Sequence, residues 1–225
     1  MTTQETIAAS TNILSAIANL SMAITAIYVA YKARNFFKSK TQEIIFNESS
    51  KLITSLDLIQ NEKKIFNLLF PFKLIEGDLK LWSDNDDFKE RVSGYLHFSI
   101  KLTNVIKTVY NEIEERTSLI ILNGGTLNKN SVELLNEIRE SLFLLQRHIG
   151  DYNYLTSTLF SIKSDTTHIS TYMFHDFSDH PFEERLSLME PLLKQSIDNT
   201  INLFYRTSEK IDEVKMIYSK GKFSH

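Results

Sequence analysis

The stretch Ser15–Lys40, SAIANLSMAITAIYVAYKARNFFKSK, decides the architecture, because it reads either as a core helix of a soluble protein or as a membrane anchor. No charged residue occurs from Thr6 through Tyr31. At the rise of an α-helix that run is roughly 39 Å long, against a hydrocarbon core of about 30 Å. Asn12, Ser15, Asn19, Ser21 and Thr25 interrupt the Ile, Leu, Ala and Val residues, and an Asn near the bilayer centre is costly unless paired. The flanks favour the anchor. Tyr28 and Tyr31 sit where an interfacial aromatic belt belongs, and Lys32, Arg34, Lys38 and Lys40 follow, with no acid until Glu43. A secretory signal peptide carries its positive charge before the apolar run, whereas here only Glu5 and the terminal amine precede it.

The positive-inside rule places the short N-terminus outside and residues 32–225 in the cytoplasm. The expected organisation is an anchor with a basic membrane-surface segment over 1–40 and a cytoplasmic helical domain over 41–225. Within the anchor, Asn12, Ala16, Asn19, Ala23, Ala26 and Ala30 recur at spacings of four and three and form one small-and-polar stripe. Ile13, Ile17, Leu20, Ile24, Ile27 and Tyr31 form a large-residue stripe with the same spacing. Small residues let helices approach closely in lipid, and Asn amides bond across such an interface. The first stripe is therefore expected to mediate self-association, with the Ile stripe facing lipid. The alternative is a soluble helix with the Ile stripe turned inward.

Composition narrows the remainder. Gly occurs six times and Pro three times in 225 residues, too few for the turns of an all-β sandwich or a βαβ series. Cysteine is absent, which excludes disulfides, thiolate metal sites and a cysteine nucleophile. Outside residues 1–40 the chain holds 21 bases against 27 acids, a net charge of −6. Such a body lacks the positive footprint that binding to nucleic acid requires.

Helical spacing continues through Ile45, Leu52, Leu56 and Ile59 to Phe66 and Phe70, with Ser49 and Lys63 at the intervening steps. The spacing predicts that the anchor helix runs on to Pro71, with a short helix over 72–82 before the acidic turn at 83–87. Val92, Leu96, Ile106, Val109, Ile113 and Ile120 mark a second long helix, closed by Asn123-Gly124-Gly125 as a C-cap. Asn130 with Glu133 reads as a capping box, opening a helix that carries Leu134, Ile138, Leu142, Leu145, Ile149, Tyr152, Leu155, Leu159 and Ile162 towards Phe174. Pro181 reads as the first residue of the last helix, with Glu183 and Glu184 in its first turn. That helix bears Leu193, Ile197, Thr200, Phe204, Thr207, Ile211, Val214 and Tyr218 and ends near Lys220-Gly221. Pro191 is expected to kink it or delay its start. The fold class is all-α: one transmembrane helix, then an antiparallel bundle of about four long helices with coiled-coil-like spacing.

Candidate chemistry is sparse. His168, His175, Asp176, Asp179 and His180 form the densest group of metal-ligating types. Their spacing matches neither His-Glu-x-x-His nor the Glu-x-x-His pairs of di-iron bundles, and turn and capping roles account for them equally well. Arg91 and His97 form Arg-x5-His, which is similar to the Arg-x4–6-His pattern of the HEPN ribonucleases. That resemblance implies a paired Arg and His at a dimer interface cleaving RNA. Positions six apart on a helix point about 120° from each other. Glu112 with Glu115 and Glu137 with Glu140 read as solvated charged faces beside Arg116 and Arg139, and no phosphate loop or nucleophile elbow occurs.

The sequence therefore predicts a self-associating helical interaction or sensor module, without catalysis or cofactor, on a bacterial inner membrane. Its partners would be the bilayer, further copies of itself and a cytoplasmic protein. The Ile-, Asn- and Lys-rich usage with few Gly and Pro suggests an AT-rich bacterial or mobile-element gene. One alternative is a membrane-disrupting effector of the toxin or anti-phage kind, whose anchors assemble into a leak. The other is a membrane-tethered ribonuclease acting through Arg91 and His97.

Overall fold

The computed structural model describes residues 3–62, 86–160, 170, 172, 177 and 179–221; side chains are described from residue 15, and in the second helix at residue 90 and from 92 onward. Among these the protein is all-helical, with α1 (Thr3–Asn61), α2 (Asp86–Leu122), α3 (Lys129–Leu159) and α4 (Phe182–Ser219). The chain divides into two units, Met1–Phe46 and Asn47–His225.

In the first unit every residue from Ser15 to Lys40 is exposed. Ile17 is 57% exposed, Leu20 63% and Ile27 71%. Among the described residues of this unit, none packs against the helix between Ser15 and Lys40. Its regularity comes from propensity, because Ala, Leu, Met and Ile with no Gly or Pro keep a long helix intact.

The second unit has an ordinary apolar core. Leu52, Leu56 and Ile59 of α1 are buried, as are Val92, Leu96, Ile106, Val109 and Ile120 of α2. From α3 come Ile138, Leu142, Leu145 and Tyr152, and from α4 Leu193, Phe204, Ile211 and Val214. These are the residues picked out by the four-and-three spacing. α3 packs along α4 and against α2.

Polar contacts order the helices. As the α3 residue advances from Glu137 to His148 to Thr158, its α4 partner retreats from Lys210 to Ser196 to Arg185. α3 and α4 are therefore antiparallel. The same reversal relates α2 to α3 through Ser99 with Asn153 and Glu114 with Arg139, and α1 to α4 through Asp57 with Lys215 and Gln60 with Asp212. Arg116 joins α2 to Glu48 of α1, so each helix is bonded to two others.

The ends follow their capping chemistry. After α2, Gly125 donates its N–H to Ile120 O and Gly124 to Ile121 O, each at 2.9 Å, with Gly124 at φ 77°. This is a Schellman cap, and it confirms the C-cap at Asn123-Gly124-Gly125. The N-cap of α3 is Asn128 instead of Asn130: the Asn128 side chain accepts the Asn130 N–H at 2.9 Å, which starts the helix two residues earlier. α3 stops at Leu159, with Phe160 as C-cap, rather than reaching Phe174. Pro181 is the N-cap of α4, one residue ahead of the expected place, and Glu183 and Glu184 lie in the first turn. Pro191 does not delay α4, which runs unbroken through it. Ser187, whose carbonyl loses its usual partner there, is exposed, so water can satisfy it. α2 begins at Asp86, inside the acidic run. The expected continuation of α1 through Phe66 and Phe70 and the helix over 72–82 lie outside the described residues.

Candidate functional site

The apolar length of α1 is the feature that packing leaves unexplained. It is the one helix among those described that is long and apolar enough to cross a membrane. Its polar residues are partly neutralised by the helix itself. The Ser21 hydroxyl donates to Ile17 O at 2.9 Å and Thr25 to Ser21 O at 2.8 Å, which removes their need for water. Asn19 differs, because a carboxamide has two N–H donors and a carbonyl that one back-bond cannot satisfy.

Ala16, Asn19, Ala23, Ala26 and Ala30 are all exposed on α1, whereas the Asn12 side chain lies outside the described residues. A shallow groove lined by Ser21, Met22, Thr25, Ala26, Val29 and Ala30 runs along the helix. It shares Ala26 and Ala30 with the expected stripe and widens the small-residue face to Ser21 and Thr25. At the C-terminal end of the apolar segment the Lys32 ammonium lies 5.8 Å from the Tyr28 ring centroid, within cation–π range. Arg34 and Lys38 are exposed, and Lys40 pairs with Glu43 at 2.8 Å. Phe36 and Phe37, exposed and edge-to-face at 5.9 Å, add aromatic surface at the same level.

In the second unit Arg116 binds Glu112 through Nε at 2.6 Å and Glu48 through Nη1 at 2.9 Å, while Lys51 reaches Glu48 at 2.7 Å. Glu48 is 8% exposed. The Lys51 hydrogen bond holds its carboxyl below the usual value, with burial opposing and Arg116 reinforcing. Arg116 is pushed above its ordinary range, chiefly by Glu112. Expecting a solvated face at Glu112 and Arg116 missed this cluster, because its third member lies 68 residues away on α1.

The other sequence-derived candidates separate. Arg91 and His97 both fall on α2; His97 is exposed, and the Arg91 side chain lies outside the described residues. His168, His175 and Asp176 are also outside them. Asp179 is exposed, and the His180 Nδ1 lies 3.3 Å from Glu184 Oε2, so that imidazole faces the first turn of α4. Among the described residues no group of three or more His, Cys, Asp or Glu converges on a metal-sized site.

A polar cleft between α3 and α4 was not anticipated. It is a half-open depression of about 200 Å³, lined in part by Arg147, His148, Asp151, Tyr172, Gln195 and Asn199. The signal available in the sequence was Asp151, an acid directly beside the core position Tyr152. No family model, curated protein or solved structure matches the chain.

Proposed function

We propose that this protein is a single-pass, self-associating membrane module, with α1 as anchor and residues 41–225 as a cytoplasmic antiparallel four-helix bundle that senses or binds. The observation that carries the reading is the uninterrupted exposure of Ser15–Tyr31. Leaving that much apolar surface in water forfeits about 25 cal/mol per Å², and lipid is the environment that recovers it along all sides of one helix. The bonding of each helix to two others supports the bundle.

Orientation follows from Lys32, Arg34, Lys38 and Lys40, which hold the C-terminal side of α1 in the cytoplasm of a bacterial cell. Self-association uses the face of Asn12, Ala16, Asn19, Ala23, Ala26 and Ala30, with the groove at Ala26 and Ala30 accepting a neighbouring helix. The role is one of interaction, with the bilayer, further copies and a cytoplasmic protein as partners. Alkaline carbonate extraction tests the anchor: the full chain is expected in the membrane pellet, and its release into the supernatant would refute the reading. Disulfide trapping tests the interface: Ala23→Cys is expected to cross-link efficiently and Ile24→Cys weakly, and equal yields would dismiss the stripe.

A further inference from the structure

The large-residue stripe of α1 does not end with the apolar segment. Ile17, Leu20, Ile24, Ile27 and Tyr31 follow one another at steps of three and four, and the next two such steps fall on Arg34 and Lys38. Residues at these steps share one helix face, and all of them are exposed. The other two bases near the segment are engaged elsewhere: the Lys32 ammonium lies over the Tyr28 ring, and Lys40 pairs with Glu43 at 2.8 Å. Among the described residues Arg34 and Lys38 have no side-chain partner. Glu43, the first acid after them, stands nine positions beyond Arg34, which is half a turn around the helix. The face that carries Arg34 and Lys38 is therefore positive without a counter-charge.

Depth matches this charge to a phosphate. With Tyr31 at the edge of the hydrocarbon core, the Arg34 and Lys38 backbones stand roughly 4.5 and 10.5 Å further along the helix axis, and the headgroup layer is roughly 5–8 Å thick. Helix side chains lean towards the N-terminus, so both cations reach back into that layer. A guanidinium fork takes a phosphate through two hydrogen bonds, the ammonium adds a point charge, and the Tyr31 hydroxyl is a further donor. On the core side, Ile24 and Ile27 continue the same face with exposed apolar surface, which a free phosphate would leave unused. A zwitterionic headgroup would bring an ammonium to a face that carries no acid. We propose that the face of Tyr31, Arg34 and Lys38 binds the headgroup of an anionic phospholipid, its phosphate held by the two cations and its acyl chains lying along Ile24 and Ile27.

This deepens the anchor reading and rests on it. The test is native mass spectrometry of the full chain in non-ionic detergent micelles, titrated with phosphatidylglycerol or with phosphatidylcholine of the same acyl chains. Each basic side chain near an anionic lipid surface is worth about fivefold in affinity. The anionic lipid is expected to bind more tightly than the zwitterionic one, and the double variant Arg34→Gln, Lys38→Gln to weaken it about 25-fold. The double variant Lys32→Gln, Lys40→Gln removes the same charge and is expected to keep the preference. All four residues are exposed, so both variants should keep the helix content of the unsubstituted chain by circular dichroism. Equal affinities of the unsubstituted chain for the two lipids overturn the proposal. So does an equal loss in the two double variants, which marks attraction by net charge alone. Alkaline carbonate extraction separates the two readings: release of the unsubstituted chain overturns both, and retention in the pellet without a lipid preference overturns the headgroup site alone.

Discussion

α1 between Ser15 and Tyr31 and α3 between Ile138 and Leu159 are both helices rich in large aliphatic side chains, yet they treat those side chains in opposite ways. In α3, Ile138, Leu142, Leu145, Ile149, Leu155 and Leu159 are buried, and charged residues such as Glu140 and Arg147 occupy the outward positions. In α1, Ile17, Leu20, Ile24 and Ile27 are exposed, and what separates them is Ala, Ser, Thr, Asn and Met with no charge at all. Apolar periodicity alone does not distinguish a core helix from a spanning one. The intervening residues separate a helix with one charged, water-facing side from a helix without charge on any side, which is either wholly buried in protein or placed in lipid.

The largest effects should break this symmetry most clearly. Phe204, fully buried in α4, should cost about 3–5 kcal/mol on truncation to Ala, whereas Leu20→Ala should leave the denaturant midpoint of the second unit unchanged. Urea unfolding in detergent measures both, and a comparable loss from Leu20→Ala would mean that the segment is a core helix after all. Ala23→Arg should penalise membrane insertion by roughly 2.5–3.5 kcal/mol and move protein into the soluble fraction. The exposed Glu140→Arg on α3 should not change that partition.

Glu48→Gln should destabilise the second unit by about 1.5 kcal/mol, the lower end for charge-assisted bonds, since Arg116 keeps Glu112. The pH dependence gives the sign. Because the folded carboxyl lies below its ordinary value of 4.5, its contribution is complete above about pH 4.5 and is lost as the pH falls through the lower folded value. Acid titration of stability should therefore be flatter in Glu48→Gln, and identical slopes would show that the cluster is not coupled to folding. The smallest effect is at Gly124, whose φ of 77° disfavours a side chain although open space surrounds it. Gly124→Ala should cost about 1 kcal/mol, and Gly124→Asn less.

The core of the second unit was legible because its apolar residues keep the four-and-three spacing with few interruptions, from Ile138 in α3 and from Leu193 in α4. Helix starts were less so: Asn128 and Asn130 are both capping residues, and only the direction of the Asn128 side chain chooses between them. The end of α3 is not legible in the sequence, because Ile162 continues the apolar pattern and no stop signal stands at Leu159. The Glu48–Arg116 bond and the α3–α4 cleft depend on helices meeting across long sequence separations, which a one-dimensional pattern does not encode.

The absence of cysteine makes the most direct test of the central claim clean. Single-cysteine variants Thr3→Cys, Leu20→Cys, Ile24→Cys and Ser219→Cys would be treated with a membrane-impermeant maleimide in intact and in permeabilised bacterial cells. Labelling is expected at position 3 in intact cells, at position 219 only after permeabilisation, and at positions 20 and 24 in neither. Labelling of 20 and 24 to the same extent as 219 after permeabilisation, with 3 protected in intact cells, would show α1 in water and contradict that claim.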